Sequence, residues 1–432
     1  MSRKKTSTFN KIVVGTTVVS MLGLGVGIGS KIMNNNSEPA HDNNTLVMHL
    51  KDGKSLKDVE LLYDTTDDIE FDKVFRLSKR LPNTYIVDPA KDDDSRIGKI
   101  IDLLEDDGDV VDAEFNKIYS IPKGETVVSS DDSKVNKGFP NDPFYQKGKM
   151  WGMTAIGAEK LYDALKGVKV KRKAKVYVLD TGISQHEDLE AKLYAKDGHG
   201  HGTHCAGTIA AITNNGKGVS SLDPDGRFIE LYGKKVLSDG GSGSTSGIAK
   251  AIIQSADEGA DVISMSLGGP GYSKVLEKAV KYAQSKGGIV VAAAGNENSD
   301  AKNSNPAKSE GVITGGAVGQ DGKGVKRVSF SNDGKIVDVS APGMKIWSTT
   351  PKKNRMGNGQ EYMAIQGTSM ATPHVAGLTG MMIAVNPDIR GKGEVVTNML
   401  RETGSDPKTE SNKPIGKFIN AYGSVKAAMK YK

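Results

Sequence analysis

The chain has 432 residues, 37% of them hydrophobic and 25% charged, with 52 glycines and a formal net charge of +6. That length exceeds one typical domain of roughly 100–200 residues, the composition is globular, and Lys and Arg are scattered without the basic stripe and interleaved aromatics of a nucleic-acid binder. A single cysteine excludes an intramolecular disulfide framework and a zinc site built on several thiolates.

The start, MSRKKTSTFNK, is basic, and Ile12 to Ser30 then runs uncharged until Lys31. Residues 1–30 therefore read as an export signal. A spanning helix needs about 20 apolar residues and no A-x-A cleavage site is visible, so a cleaved signal peptide and a retained signal anchor both stay open. The protein is expected to be secreted, or anchored and facing outside, with membrane contact only if this segment is kept. Residues 31–44 are polar, with Asn and Pro, and read as a tether.

Residues 45–121 are expected to form a small α+β domain. TLVMHL reads as a strand, KSLKDVELLY as a helix, NTYIVD as a strand, SRIGKIIDLLEDD as a helix with Ile97, Ile100, Ile101 and Leu104 on one face, and DVVDAEFNKIYS as a final strand. Residues 42–122 carry 20 acidic and 11 basic side chains, net −9, whereas residues 123–432 carry net +11. That contrast points to electrostatic complementarity between the two parts, the alternative being that each surface is simply solvated. Residues 122–140 are polar and glycine-punctuated and read as a cleavable linker. From 141 to 432, buried-strand runs such as KVYVLD, IVVAAAG and GVITGGAV alternate with helical stretches such as SGIAKAIIQSADEG and SKVLEKAVKYAQSKG. Such alternation predicts an α/β domain, a parallel sheet with helices on both faces.

Three segments of this large domain carry chemistry. KVYVLDTGI ends a strand on Asp180, DGHGHGTHCAGT places His201 at a helix start, and QGTSMATPHVAG presents Ser369 between small residues at another. Hydrolysing an amide with serine needs a hydroxyl nucleophile, an imidazole to take and return its proton, and a carboxylate to fix the imidazole's tautomer. Singly, these residues are more often a strand-end cap, a solvated histidine and a helix cap; in the order Asp, His, Ser and inside extended motifs they make a catalytic set. His199 is the rival to His201, and His204 and His374 read as packing or hydrogen-bonding residues. VVAAAGNEN ends a strand on Gly295 and Asn296, and the Asn296 amide would stabilise negative charge on a carbonyl oxygen under attack, with the backbone N–H of Ser369 as second donor.

From about Asn141 to Ala428 the chain resembles the subtilisin superfamily, and within it the proteinase K branch, on HGTHCAG, KVLSDGGSGS, MSLGGPGYS, GNENSDAKNSNPA and VSFSNDGKIVDVSAPG. The resemblance implies a subtilisin-like serine endopeptidase acting on polypeptides, most simply as a monomer. It implies that Gly241, Ser242 and Gly243, with Ser266, Leu267 and Gly268, are edges flanking an extended substrate as a third strand. Ala293, Ala294 and Gly295 with Ser266 to Gly268 would wall the pocket for the residue before the cleaved bond, with Glu297 at its rim. Cys205 would be a buried thiol near His201. Residues 45–121 resemble, in element order, a ferredoxin-like inhibitor propeptide that stays in the groove until cleaved, with maturation between Ser120 and Asn141. Structural calcium is also implied, at Asp338 with the carbonyls of Glu310 and Val312, and at Asp188 with Asn215. A catalytically silent peptide-binding homologue is the alternative reading.

Overall fold

The structure, a computed structural model, describes residues 45–62, 71–89, 94–128, 139–357 and 359–432. The expected export segment and tether lie outside these residues. No helix among the described residues is long and apolar enough to cross a membrane. Two compact units divide between Lys117 and Ile118.

In the first unit four antiparallel strands stand in the order Phe71–Ser78, Leu81–Pro89, Leu46–Leu50, Val110–Phe115, and the helix Asp94–Asp106 precedes the last of them. Ile97, Ile100, Ile101 and Leu104 all face its core, against Leu46, Met48, Val74 and Val87. Spacings of three and four put these side chains on one stripe of the helix, and each is buried, stabilising by about 1.5–3 kcal/mol.

The structure departs from the local expectations in three places. KSLKDVELLY forms two short 3₁₀ turns, Leu56–Asp58 and Glu60–Leu62, with Val59 extended between them (φ −89°, ψ 104°). The Asp58 carboxylate accepts both the backbone N–H and the hydroxyl of Ser55, closing one turn. The N–H of Glu60 then donates to Asp107 instead of to Leu56 one turn back, and fully buried Val59 plugs the core. The strand Phe71–Ser78 was not anticipated, because its only buried residues, Val74 and Leu77, are three apart and hide the period of two. The run DVVDAEFNKIYS also divides: Val110–Phe115 belongs to the first unit and Ile118–Ser120 to the second.

The second unit is built on a sheet with strand order Lys417–Phe418, Val339–Pro342, Ile313–Asp321, Ile289–Ala293, Val262–Met265, Ala174–Asp180, Ile229–Lys235, Ala191–Leu193. All of these neighbours pair in parallel, and Gly324–Arg327 adds an antiparallel edge to Ile313–Asp321. As expected, helices flank the sheet. Thr245–Asp257 packs on Lys274–Ser285, while His201–Ala210 and Ala421–Lys430 pack on Thr368–Val385. Local chemistry sets their starts: the hydroxyls of Ser244 and Ser273 accept the N–H groups of Gly247 and Leu276, as N-caps do. Every residue from Thr368 to Ala384 is buried, the mark of a helix enclosed on all sides. The carboxyl ends of the central strands, where open α/β sheets place their ligand sites, carry Asp180, Ser266 to Gly268 and Ala293 to Asn296.

Candidate active site

Asp180 is the last residue of Ala174–Asp180, a strand with parallel neighbours on both sides. His201 opens the helix His201–Ala210. Both are fully buried, and His201 Nδ1 lies 2.7 Å from Asp180 Oδ1, which also accepts the N–H of Thr181. A buried imidazole with its Nδ1 facing a carboxylate presents Nε2 to a substrate. His199, the rival, sits 6.2 Å away ring to ring, and His201 takes the carboxylate. Burial alone would discharge His201, but the carboxylates of Asp180 and Glu125 outweigh it and hold the imidazolium well above the ordinary histidine range.

The start of that helix is clamped by Asp197, which the sequence reading did not single out. Its buried carboxylate accepts the N–H groups of His199, Gly200 and Thr203 and the hydroxyls of Thr181 and Thr203, at 2.7–3.1 Å. A carboxylate ahead of a helix, fed by its free N–H groups, is a cap strengthened by charge. The Thr181 hydroxyl also accepts the N–H of Gly202 at 2.9 Å, so one side chain ties the strand end bearing Asp180 to the helix bearing His201.

Ser369 is the second residue of Thr368–Val385. Pro373, inside that helix, has no N–H for the carbonyl of Ser369. The freed oxygen accepts instead the hydroxyl of Ser266 at 2.9 Å and the thiol of Cys205 at 3.5 Å. Cys205, whose sulfur is also 4.0 Å from His201 Nδ1, is the buried thiol expected, and burial pushes its pKa up. His204 donates from Nε2 to the carbonyls of Ile346 and Met363, and burial lowers its pKa to about 3. His374 donates from Nδ1 to the carbonyl of Met370, and burial lowers it to about 4. Both are neutral packing residues.

Asn296 has its amide orientation fixed by Thr368. The Asn296 Oδ1 accepts the N–H and the hydroxyl of Thr368 at 2.9 and 2.8 Å, which leaves Nδ2 as the outward donor. The preceding segment is braced by Asn332, whose Nδ2 donates to the carbonyl of Ala294 and whose N–H donates to that of Gly295. Gly295 stands at φ +104°, and a Cβ there would lie 2.3 Å from Asn332 Nδ2, so both backbone and space demand glycine. Glu297 is held by the same amide at 2.7 Å. Ala293, Ala294 and Leu267 are buried.

The groove between the expected edges holds part of the chain itself. Ile118–Ser120 pairs antiparallel with Ser242–Ser244, matching Ser120 to Ser242 and Tyr119 to Gly243. On the other side Ser120 exchanges two 3.0 Å hydrogen bonds with Gly268, and the N–H of Ile121 donates to Gly241. The Pro122 carbonyl then lies 3.5 Å from Asn296 Nδ2. Gly124 (φ +81°) turns the chain, and Thr126–Val127 pairs with Ile365 and Gln366 beyond. Proline has no N–H to offer Ser266, and the Ser266 carbonyl accepts the Ser369 hydroxyl at 3.2 Å. Glu125, also missed from sequence, brings Oε2 to 3.0 Å from His201 Nε2, an ion pair without hydrogen-bond alignment.

The two expected calcium sites differ. Asp338 accepts the N–H of Thr314 and pairs at 2.5 Å with Arg401, while the Glu310 carbonyl accepts from Gln284 and the Val312 N–H donates to Ser309. A guanidinium already pairs with Asp338, whose Oδ1 is therefore engaged by Arg401. Asp188 and Asn215 do come together, Asn215 Nδ2 donating to Asp188 Oδ1 at 2.7 Å. Asp188 is fully buried with no ion-pair partner among the described residues, and burial pushes its carboxyl up to about 7. A buried carboxylate lacking a counter-charge beside a carboxamide fits a hard cation.

A model of the subtilase family matches residues 171–417. Thermitase of Thermoactinomyces vulgaris is 38% identical over 281 residues, 62% of this chain and 94% of its own. Subtilisin Savinase of Lederbergia lenta is 42% identical over 247 residues, 55% of this chain and 85% of its own. Among solved structures, a protease of Pseudoalteromonas arctica aligns with TM-score 0.57 and 30% identity, over 67% of this chain and 100% of that one. Fervidolysin from Fervidobacterium pennivorans, described as a keratinolytic enzyme related to subtilisin, aligns with TM-score 0.70 over 89% of this chain and 61% of its own; at 24% identity it bears on the fold alone.

Replacing Asp197 by Ala strands buried donors around the start of the His201 helix. The expected cost is at least about 2 kcal/mol, that of a lost helix cap (about 0.5–2 kcal/mol) together with buried donors left unsatisfied (about 1–3 kcal/mol each), measured as a lowered denaturation midpoint. A midpoint within error of the parent would contradict the clamp.

Proposed function

The chain belongs to the subtilase family, a family of serine endopeptidases, and from that premise we propose that it is made as a precursor that hydrolyses peptide bonds with Asp180, His201 and Ser369. The observation that carries this reading is the extended stretch Ile118–Pro122, paired on both sides, with its last carbonyl against the Asn296 amide. A polypeptide substrate would take the same path between Gly241–Gly243 and Ser266–Gly268, with Ala293–Gly295 walling the pocket at its end.

In the proposed chemistry the Ser369 oxygen attacks the carbonyl carbon as its proton passes to His201 Nε2, and Asp180 stabilises the imidazolium through Nδ1. Asn296 Nδ2 and the Ser369 N–H hold the oxyanion. The imidazolium then gives its proton to the departing amine, leaving an acyl-enzyme on Ser369, and water repeats the sequence to free the acid. Ser369→Ala removes the nucleophile. The full precursor should then stay intact and hydrolysis of peptides should fall by at least about 10³-fold, as loss of a triad member does; a Ser369→Ala chain that processes itself unaided would contradict the mechanism.

We also propose that residues 45–121 are an inhibitory propeptide, that the linker 122–140 is cut during maturation, and that residues 1–30 direct export. The contacts of Pro122 to Glu125 support latency. Nε2 faces a carboxylate, so it keeps a proton and has no lone pair for the one on Ser369, whose hydroxyl is turned to Ser266. Glu125→Gln removes the charge and keeps the shape. An opposite charge within about 4–6 Å raises a histidine by about 1–3 pH units, so the variant precursor should process itself about tenfold sooner near neutral pH, followed by mass spectrometry. An unchanged or slower time course would contradict this role for Glu125.

Calcium would be held by Asp188 and Asn215, where it supplies the positive charge that a disulfide-free exported protein can use as a staple. Chelator should lower the melting temperature of the Ser369→Ala precursor by several degrees, added calcium should restore it, and Asp188→Asn should abolish the response. Identical melting in chelator and calcium would remove the site from the account.

A further inference from the structure

The stretch in the groove also shows what one pocket beside it reads. Naming residues backwards from the carbonyl that faces Asn296, Pro122 is P1, Ile121 P2, Ser120 P3 and Tyr119 P4. Tyr119 is 1% exposed. Its ring lies against Gly269, where a Cβ would stand 2.2 Å from ring carbon Cδ1, so the pocket has room for an aromatic ring only while residue 269 lacks a side chain. Its hydroxyl donates to Asn305 Oδ1 at 3.2 Å.

Asn305 is fully buried and is the register partner of Gly269 in a two-stranded ladder, so the flat wall and the acceptor share one rung. Its other amide atom, Nδ2, donates to the Ser309 hydroxyl at 3.2 Å. With Nδ2 on Ser309, Oδ1 is the atom turned to the phenol, and Tyr119 is its one donor among the described residues. We propose that Asn305 is a specificity-determining residue, whose side-chain oxygen accepts a hydrogen bond from a phenolic hydroxyl at P4. The inference rests on the peptidase reading and on substrates following the path of Ile118–Pro122.

The physical ground is asymmetric. Tyrosine satisfies the buried oxygen, whereas phenylalanine fills the same volume and leaves it unpaired and cut off from water. A neutral hydrogen bond of this kind corresponds to roughly tenfold in kcat/KM.

The test uses matured enzyme obtained from the full chain and fluorogenic peptides differing only at P4, with Ser at P3, Ile at P2 and Phe at P1. The parent should cleave the P4 Tyr peptide about tenfold better than the P4 Phe peptide, and O-methyltyrosine, which keeps the oxygen and loses the proton, should fall to the Phe level or below. Asn305→Leu should bring the Tyr to Phe ratio near one while Phe cleavage persists, and Asn305→Asp, which keeps an acceptor, should retain the preference. Equal cleavage of the Tyr and Phe peptides by the parent, O-methyltyrosine matching tyrosine, or a preference surviving in Asn305→Leu would each overturn the role of Asn305 and leave the peptidase reading standing. Cleavage of no peptide at all would overturn both. The parent comparison needs no variant, so misfolding of Asn305→Leu does not spare the proposal.

Discussion

Asp180 and His201 are both out of reach of water, and their 2.7 Å contact is the constraint on which the rest of the site depends. A buried carboxylate and a buried imidazole are each costly alone and tolerable only as a hydrogen-bonded pair. Two separate elements must therefore hold them in register: a strand locked between parallel neighbours, and a helix whose first turn is clamped by Asp197. Thr181 joins the two by donating to Asp197 and accepting from Gly202. The sheet supplies the location, and this small polar network supplies the orientation.

A second constraint comes from the all-buried helix Thr368–Val385. Pro373 opens its hydrogen-bond ladder at Ser369, and the vacated carbonyl is taken by Ser266 and Cys205. The backbone of Ser369 is thus anchored to the strand end at Ser266 and to the helix of His201. Thr368, one residue earlier, aims the amide of Asn296. Three groups that the proposed chemistry requires are engaged while the stretch Ile118–Val127 is in place: Asn296 faces Pro122, His201 faces Glu125, and the Ser369 hydroxyl turns to the Ser266 carbonyl, to which Pro122 has no N–H to offer. Latency in this account needs no distortion of the site, only occupation of it.

Much of this was legible in the sequence where one contiguous motif carries both the residue and its local geometry. Asp180 closes a strand, His201 and Ser369 open helices and Asn296 stands three residues beyond the strand Ile289–Ala293, each within such a motif, and the alternation of buried runs with helical stretches foretold the covered parallel sheet. What escaped depends on partners far apart in the chain. Asp197 stands in a glycine-rich run where an aspartate looks like an ordinary turn residue, and nothing local reveals that it gathers five donors. Glu125 sits in a polar linker, and its importance arises from folding back onto His201. At Asp338 the carboxylate was visible but its competing cation, Arg401, lies 63 residues on. In the first unit, the local helical pattern around Val59 was overridden when Asp107 captured the N–H of Glu60, a contact across 47 residues.

The central claim is that Ser369 is the nucleophile of a site that the chain itself covers. A fluorophosphonate, which bonds to an activated serine oxygen with loss of fluoride, tests it directly on the processed protein, with the adduct placed by peptide mass spectrometry. The account predicts one adduct, on Ser369, and its loss when His201 is replaced by Ala in a chain that the parent enzyme has cut in trans. Labelling at another residue, or labelling of Ser369 indifferent to His201, would contradict it.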